Sequence, residues 1–144
     1  VKLLVQRVSK ASVHVDGNLI GDIAQGQLVL VGIEKNDTEE DVTRLAEKLL
    51  NYRMFSDDNA KMNLNVQQVN GGILLVSQFT LAAETKKGLR PGFSTAAEPE
   101  RAQVLFNLLV EHIRAKHPIV ATGKFGADMQ VSLINDGPVT FLLS

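Results

Sequence analysis

The sequence predicts a mixed α/β fold: one domain over residues 1–144, made mostly of antiparallel β-sheet layers, hairpin-rich and barrel-like, with two main amphipathic helices packed on one side. Three features lead to this reading. Short β-branched runs separated by turn residues open the chain. Two stretches then repeat apolar residues at helical spacing, and a pair of strand-like runs closes the sequence.

Lys2 to Val8 alternates loosely and reads as a strand with Arg7 near its end. Ser12 to Val15 reads as a second strand, and Asp16-Gly17-Asn18 turns it into Leu19 to Ile23. Gln25-Gly26-Gln27 then leads into the apolar run Leu28 to Ile33. Asp37 is placed as the N-cap of the first helix, with Glu40 in the capping-box position and Val42, Leu45, Ala46, Leu49 and Leu50 as one apolar stripe. Tyr52 to Phe55 reads as a short strand and the polar stretch from Ser56 to Asn65 as loop. Pro99 suits the first turn of a second helix, whose stripe is Ala102, Leu105, Phe106, Leu109 and Ile113, and His117-Pro118 ends it. Two strands, Ala127 to Ile134 and Val139 to Leu143, are expected to form a terminal hairpin around Asn135-Asp136-Gly137-Pro138.

Composition narrows the function classes. The absence of cysteine excludes disulfides, thiolate metal sites and a cysteine nucleophile, and points to a cytoplasmic protein. A formal charge of −1 argues against bulk polyanion binding, so any nucleic-acid contact must be local. The apolar runs are far too short to span a bilayer, and no signal-like segment opens the chain. His14, His112 and His117 make no ligand cluster, and the last two do not share a helical face. No phosphate-binding glycine loop or nucleophile elbow is present either.

The stretch that stands out is Gly72 to Leu81. Ile73 to Val76 suits a strand buried on both faces, after which Ser77, Gln78 and Thr80 introduce polar groups without a Gly or Pro between them. Strand alternation would put Ser77, Phe79 and Leu81 on one face and Gln78 and Thr80 on the other. Leaving such groups buried and unpaired costs roughly 1–3 kcal/mol each, so they should bond internally or open into a pocket. No base accompanies Thr80, which leaves hydroxyls, an amide, backbone groups or a group of the substrate to carry any acid–base chemistry. Beyond this stretch, Lys86, Lys87 and Arg90 share an exposed loop with two glycines and a proline.

Ser77-Gln78-Phe79-Thr80-Leu81, taken with Asn135-Asp136-Gly137-Pro138-Val139-Thr140, resembles the two signature motifs of the D-aminoacyl-tRNA deacylases. Val5-Gln6-Arg7-Val8 and Lys87-Gly88-Leu89-Arg90-Pro91 resemble that family too, so the likeness covers the whole chain. It implies hydrolysis of the ester between a D-amino acid and the 3′-terminal adenosine of tRNA, by a cytoplasmic homodimer that needs no metal or organic cofactor. It implies that Ser77, Gln78, Phe79 and Thr80 line the ester pocket, with Thr80 either a nucleophile or a structural group beside backbone amides that polarise the ester. It further implies a cis Gly137-Pro138 peptide that tests chirality at Cα, rejecting L side chains by rigid backbone and letting glycyl esters through.

Arg7 is the candidate for holding the Gly137-Pro138 turn through its carbonyls, and Lys86, Lys87 and Arg90 for contacting tRNA phosphates. The last strand carries apolar residues on both faces, which a partner subunit could cover. Two other functions compete with the editing hydrolase: a non-catalytic module that grips the tRNA acceptor end, and a hydrolase of small D-amino-acid esters or amides.

Overall fold

The structure is a computed structural model that describes residues Val1–Ser144. In chain order it contains β1 (Lys2–Val15), β2 (Asn18–Ile23), β3 (Gly26–Gly32), α1 (Glu39–Asn51), β4 (Phe55–Ser56), β5 (Met62–Leu64), β6 (Gly72–Ser77), a 3₁₀ turn (Phe79–Ala82), α2 (Pro99–Lys116), β7 (Val120–Thr122) and β8 (Gln130–Leu143). The predicted class holds: a mixed α/β domain whose sheet curls into a nearly closed barrel. All three pairings of β1 are antiparallel, but β6 lies parallel to both β3 and β7.

The sheet is organised around β1. Its first half pairs β3 and its second half pairs β2, while β8 pairs it from Leu3 to His14. The two strands expected over residues 2–15 are therefore one, because Ser9 and Lys10 are polar but extended and do not turn the chain. The terminal hairpin is likewise corrected. Residues 130–143 form a single strand on β1, and Asn135 to Pro138 is a bulge in it. Between the pairs Gln6↔Thr140 and Val8↔Asn135, β1 advances two residues and β8 five. A Gly-Pro turn is a local signal for reversal, and the long-range ladder with β1 overrides it.

Strand alternation gives the sheet two apolar faces. Val5, Val29, Val31, Ile73 and Leu75 belong to a cluster of 24 buried residues that includes the stripes of α1 and α2. Val8, Val13, Leu28, Leu74 and Val76 fill the inside of the curve in a second cluster of seven. Ile73 to Val76 is thus buried on both faces, as its composition predicts. Gly26 and Gly72 sit side by side where β3 meets β6: a Cβ built on Gly26 would stand 2.0 Å from the Gly72 carbonyl oxygen. Any side chain there would push the two strands apart.

The helix boundaries follow local chemistry. Thr38, not Asp37, is the N-cap of α1. Its hydroxyl accepts from the Asp41 N–H at 3.2 Å, and the Asp41 carboxylate accepts from the Thr38 N–H at 2.9 Å. These bonds, the backbone one first, hold the Asp41 carboxyl below its usual range. Asp37 instead accepts the Glu34 N–H at 2.7 Å. Pro99 opens α2 and His117 ends it as predicted, with the buried His117 ring donating to the Gly71 carbonyl at 2.6 Å. The short strand predicted over Tyr52 to Phe55 lies at Phe55–Ser56, paired with β5 inside the predicted loop; β7 has no counterpart in the sequence reading.

One core position breaks the polar rule. Gln27 is fully buried, and neither its amide nitrogen nor its carbonyl oxygen has a partner. It shares a sheet face with the apolar Val29, Val31 and Ile73. Gln27→Leu is expected to raise stability by about 1–3 kcal/mol, the cost of an unsatisfied buried amide. A higher urea midpoint at unchanged m-value would show this, and a lower midpoint would contradict it.

Candidate active site

The motif strand leads directly to the site. At Ser77 the chain leaves β6, and the Gln78 N–H still bonds the Val31 carbonyl at 2.8 Å, the last link to β3. Beyond it the backbone winds into the 3₁₀ turn, with the Leu81 N–H on the Gln78 carbonyl at 3.1 Å. Strand alternation therefore stops at Ser77, and the predicted faces for Gln78 to Leu81 do not form. In their place the Gln78 side-chain amide donates to the Thr80 hydroxyl. Gln78 and Thr80 thus bond each other, while Ser77 and Gln78 border a cleft, the two outcomes expected of polar groups at a strand end. No side chain caps the turn, so the Phe79 and Thr80 N–H groups stand ahead of its first hydrogen bond.

The cleft has a volume of about 500 Å³. Ser77, Gln78 and Phe79 form one wall; Phe125, Asp128 and Met129 of the segment between β7 and β8 form the other. Thr80 lies outside this lining and is exposed. Phe79 is 62 % exposed at the mouth, where its ring meets that of Phe93 with centroids 5.3 Å apart. Asp128 is the only titratable side chain in the lining. A second depression of about 530 Å³, between Tyr52, Arg53 and Phe141, is more open and contains none of the motif residues.

Sequence reasoning missed Phe125, Asp128, Met129 and Phe93. A Phe and a Met on either side of Gly126 in a loop were the available signal, since apolar side chains of that size need cover.

The second motif forms a separate structure. The Gly137–Pro138 peptide is cis, and Arg7 holds the bulge as expected: its Nε donates to the Asp136 carbonyl at 3.0 Å and its Nη1 to the Met54 carbonyl at 3.0 Å. Asn135 straps the bulge by accepting the Val139 N–H at 2.9 Å and donating to the Thr140 hydroxyl at 3.0 Å. Those two side chains explain the polar ends of the motif. None of residues 135–140 lines the cleft. Val131 is the last residue of β8 to do so, and Gly137 lies six residues further on, about 20 Å of extended chain.

Lys86, Lys87 and Arg90 are all exposed in a loop closed at its base by paired backbone bonds between Glu84 and Gly92, at 2.7 and 3.0 Å. Of the histidines, His112 contacts Glu47 of α1 at 2.9 Å. Lys116 bonds the same carboxylate; this contact first, and His112 second, lowers the Glu47 pKa. That cluster ties the two helices together away from the cleft. No three His, Asp or Glu side chains converge as a metal site would require, and no helix is long and apolar enough to cross a membrane.

The fold and the cleft together define a class: a curled-sheet domain whose candidate site is made of strand-end polar groups and backbone amides rather than a titratable triad. The chain belongs to the D-Tyr-tRNA(Tyr) deacylase family, whose model matches residues 4–144. Among similar proteins, a D-aminoacyl-tRNA deacylase of Marinomonas sp. (strain MWYL1) is 69% identical over 99% of both chains. One of Escherichia coli O81 (strain ED1a) is 56% identical over 97% of both. A solved structure of a c-Myc DNA unwinding element binding protein superposes with a TM-score of 0.96 at 41% identity, covering 100% of this chain and 98% of that one. A probable eukaryotic D-amino acid tRNA deacylase shares the fold, with a TM-score of 0.83 at 15% identity over 99% and 97% of the two chains.

Proposed function

We propose that this protein hydrolyses the ester joining a D-amino acid to the 3′-terminal adenosine of tRNA, accepts glycyl-tRNA, and rejects L-aminoacyl-tRNA. The observation that carries the reading is the opening of the Ser77-Gln78-Phe79 strand end into a cleft of about 500 Å³ whose far wall carries Phe125 and Met129 beside Asp128, in a chain matched to the deacylase family along its length. Such a cleft suits an aminoacyl-adenosine end, with the ester at the polar wall and flat apolar groups against Phe125 and Met129.

Water attacks the ester carbonyl, and the Phe79 and Thr80 N–H groups stabilise the charge that develops on its oxygen. The substrate's 2′-hydroxyl helps to activate the water, and the departing 3′-oxygen takes up a proton as the D-amino acid leaves. Thr80 is structural in this scheme. Its oxygen already accepts a hydrogen bond from Gln78, which withdraws electron density from it, and no base touches it. Thr80→Ala is expected to lower turnover by no more than about tenfold, against the roughly 10⁶-fold that removal of a covalent nucleophile can cost. Abolished turnover in folded Thr80→Ala, with an acyl-enzyme trapped on the wild type, would reverse the assignment.

Chirality is tested by the Gly137-Pro138 backbone of a partner subunit. The bulge lies too far along β8 to serve the cleft of its own chain, yet it is exposed and held rigidly by Arg7 and Asn135. A homodimer would bring it over the neighbouring cleft and cover the exposed Leu142 near the end of β8. Such a substrate places the enzyme in the cytoplasm, where aminoacyl-tRNA is made and used. Incubation with D-tyrosyl-tRNA and with a D-tyrosine alkyl ester tests the reading: ester loss confined to the RNA substrate supports it. Binding without cleavage would favour a passive acceptor-end module, and equal cleavage a small-ester hydrolase.

A further inference from the structure

We infer that Leu89, at the tip of the basic loop, packs against the end of the base-paired acceptor stem while Lys86, Lys87 and Arg90 hold the flanking phosphates. The inference rests on the proposed aminoacyl-tRNA site and extends it with an element that senses the duplex rather than the ester.

Leu89 has 104 % relative exposure, the highest among the exposed large hydrophobic residues, so nothing in the chain covers it. A single exposed leucine is ordinary; its surroundings here are not. Three of the ten exposed large hydrophobics, Phe79, Leu89 and Phe93, fall within fifteen residues of chain, and of these Phe79 lines the cleft. The loop around Leu89 carries Lys86, Lys87 and Arg90, which attract phosphate. An aliphatic side chain adds nothing to a phosphate contact. The apolar surface that a nucleic acid offers is a base face, and apolar side chains engage it by packing on or between bases.

The placement fits. Phe93 directly follows the Glu84–Gly92 clamp, and its ring packs on Phe79 of the cleft, so the loop springs from the cleft mouth. Residues 85–91 reach at most about 12 Å beyond that clamp, at roughly 3.3–3.6 Å per residue out and back. With the unpaired 3′ end inserted in the cleft, the first base pair lies outside it, and a loop rooted beside Phe79 at the cleft is placed to meet it. The closed base keeps the tip presented there.

Wild type and Leu89→Ala should be compared on two substrates, D-tyrosyl-tRNA and the D-tyrosyl ester of the trinucleotide CCA, which has no duplex. Leu89→Ala is expected to raise KM for the tRNA about tenfold, as loss of one buried leucine contact would. The trinucleotide ester should be unaffected, and the salt slope of tRNA binding should stay the same because no phosphate contact is lost. Leu89→Met should restore the wild-type KM. No change on the tRNA, or an equal loss on both substrates, would overturn the inference, the latter by showing that Leu89 supports the protein assembly. Failure of wild type to cleave D-tyrosyl-tRNA would instead refute the underlying reading of the cleft, which keeps the two failures apart.

Discussion

Gly137→Ala is expected to lower turnover of D-tyrosyl-tRNA by about 10²-fold, the scale of loss that follows when a positioning group moves by an ångström. Gly137 sits at φ +140°, a conformation that L residues rarely adopt. A Cβ there would lie 2.6 Å from Val139 Cγ2, 2.9 Å from the Val139 nitrogen and 3.4 Å from Arg7 Nη2. Val139 is buried in the main core and cannot retreat, so the added carbon must displace the bulge itself. The bulge is exposed and local, which keeps the cost to the fold at about 1–3 kcal/mol. Single-turnover kinetics beside a urea titration would separate the two effects. Wild-type turnover in folded Gly137→Ala would remove the bulge from the site.

Combined neutralisation of Lys86, Lys87 and Arg90 to Gln should weaken tRNA binding by about 10²-fold at low salt, irrespective of tRNA sequence. The three side chains are exposed, so the fold should not change. Each lost phosphate contact should also flatten the plot of log K against log salt by roughly 0.7–0.9 units, giving about 2 to 3 in total. Titration at several salt concentrations measures both quantities. An unchanged slope would make the loop a solvated surface and leave RNA recognition to the cleft alone.

Much of this architecture is legible in the sequence, for identifiable reasons. The stripes of α1 and α2 are buried as their spacing predicts, because helical periodicity records which face meets the core. Composition marks the double burial of Ile73 to Val76 and the pressure on polar groups past it that Gln78 and Thr80 meet by bonding each other. Arg7 could be linked to the Asp136 turn because a cation on an apolar strand needs acceptors.

The misreadings occur where long-range pairing decides. Asn135 to Pro138 looks locally like a hairpin turn, and only the continuous ladder of β8 on β1 makes it a bulge. Ser77 to Leu81 looks like more strand, yet β3 offers its last bond to Gln78 and the chain coils. The far wall of the cleft, Phe125 to Met129, depends on the curl of the sheet, which leaves no local imprint.

Chirality proofreading of an RNA-borne ester is measured by ester loss from matched D-tyrosyl-tRNA and L-tyrosyl-tRNA under single-turnover conditions with excess wild-type protein. Rapid loss of the D ester is expected, with an L ester that decays no faster than in buffer. Equal rates for the two enantiomers, or no acceleration of the D ester, would contradict it.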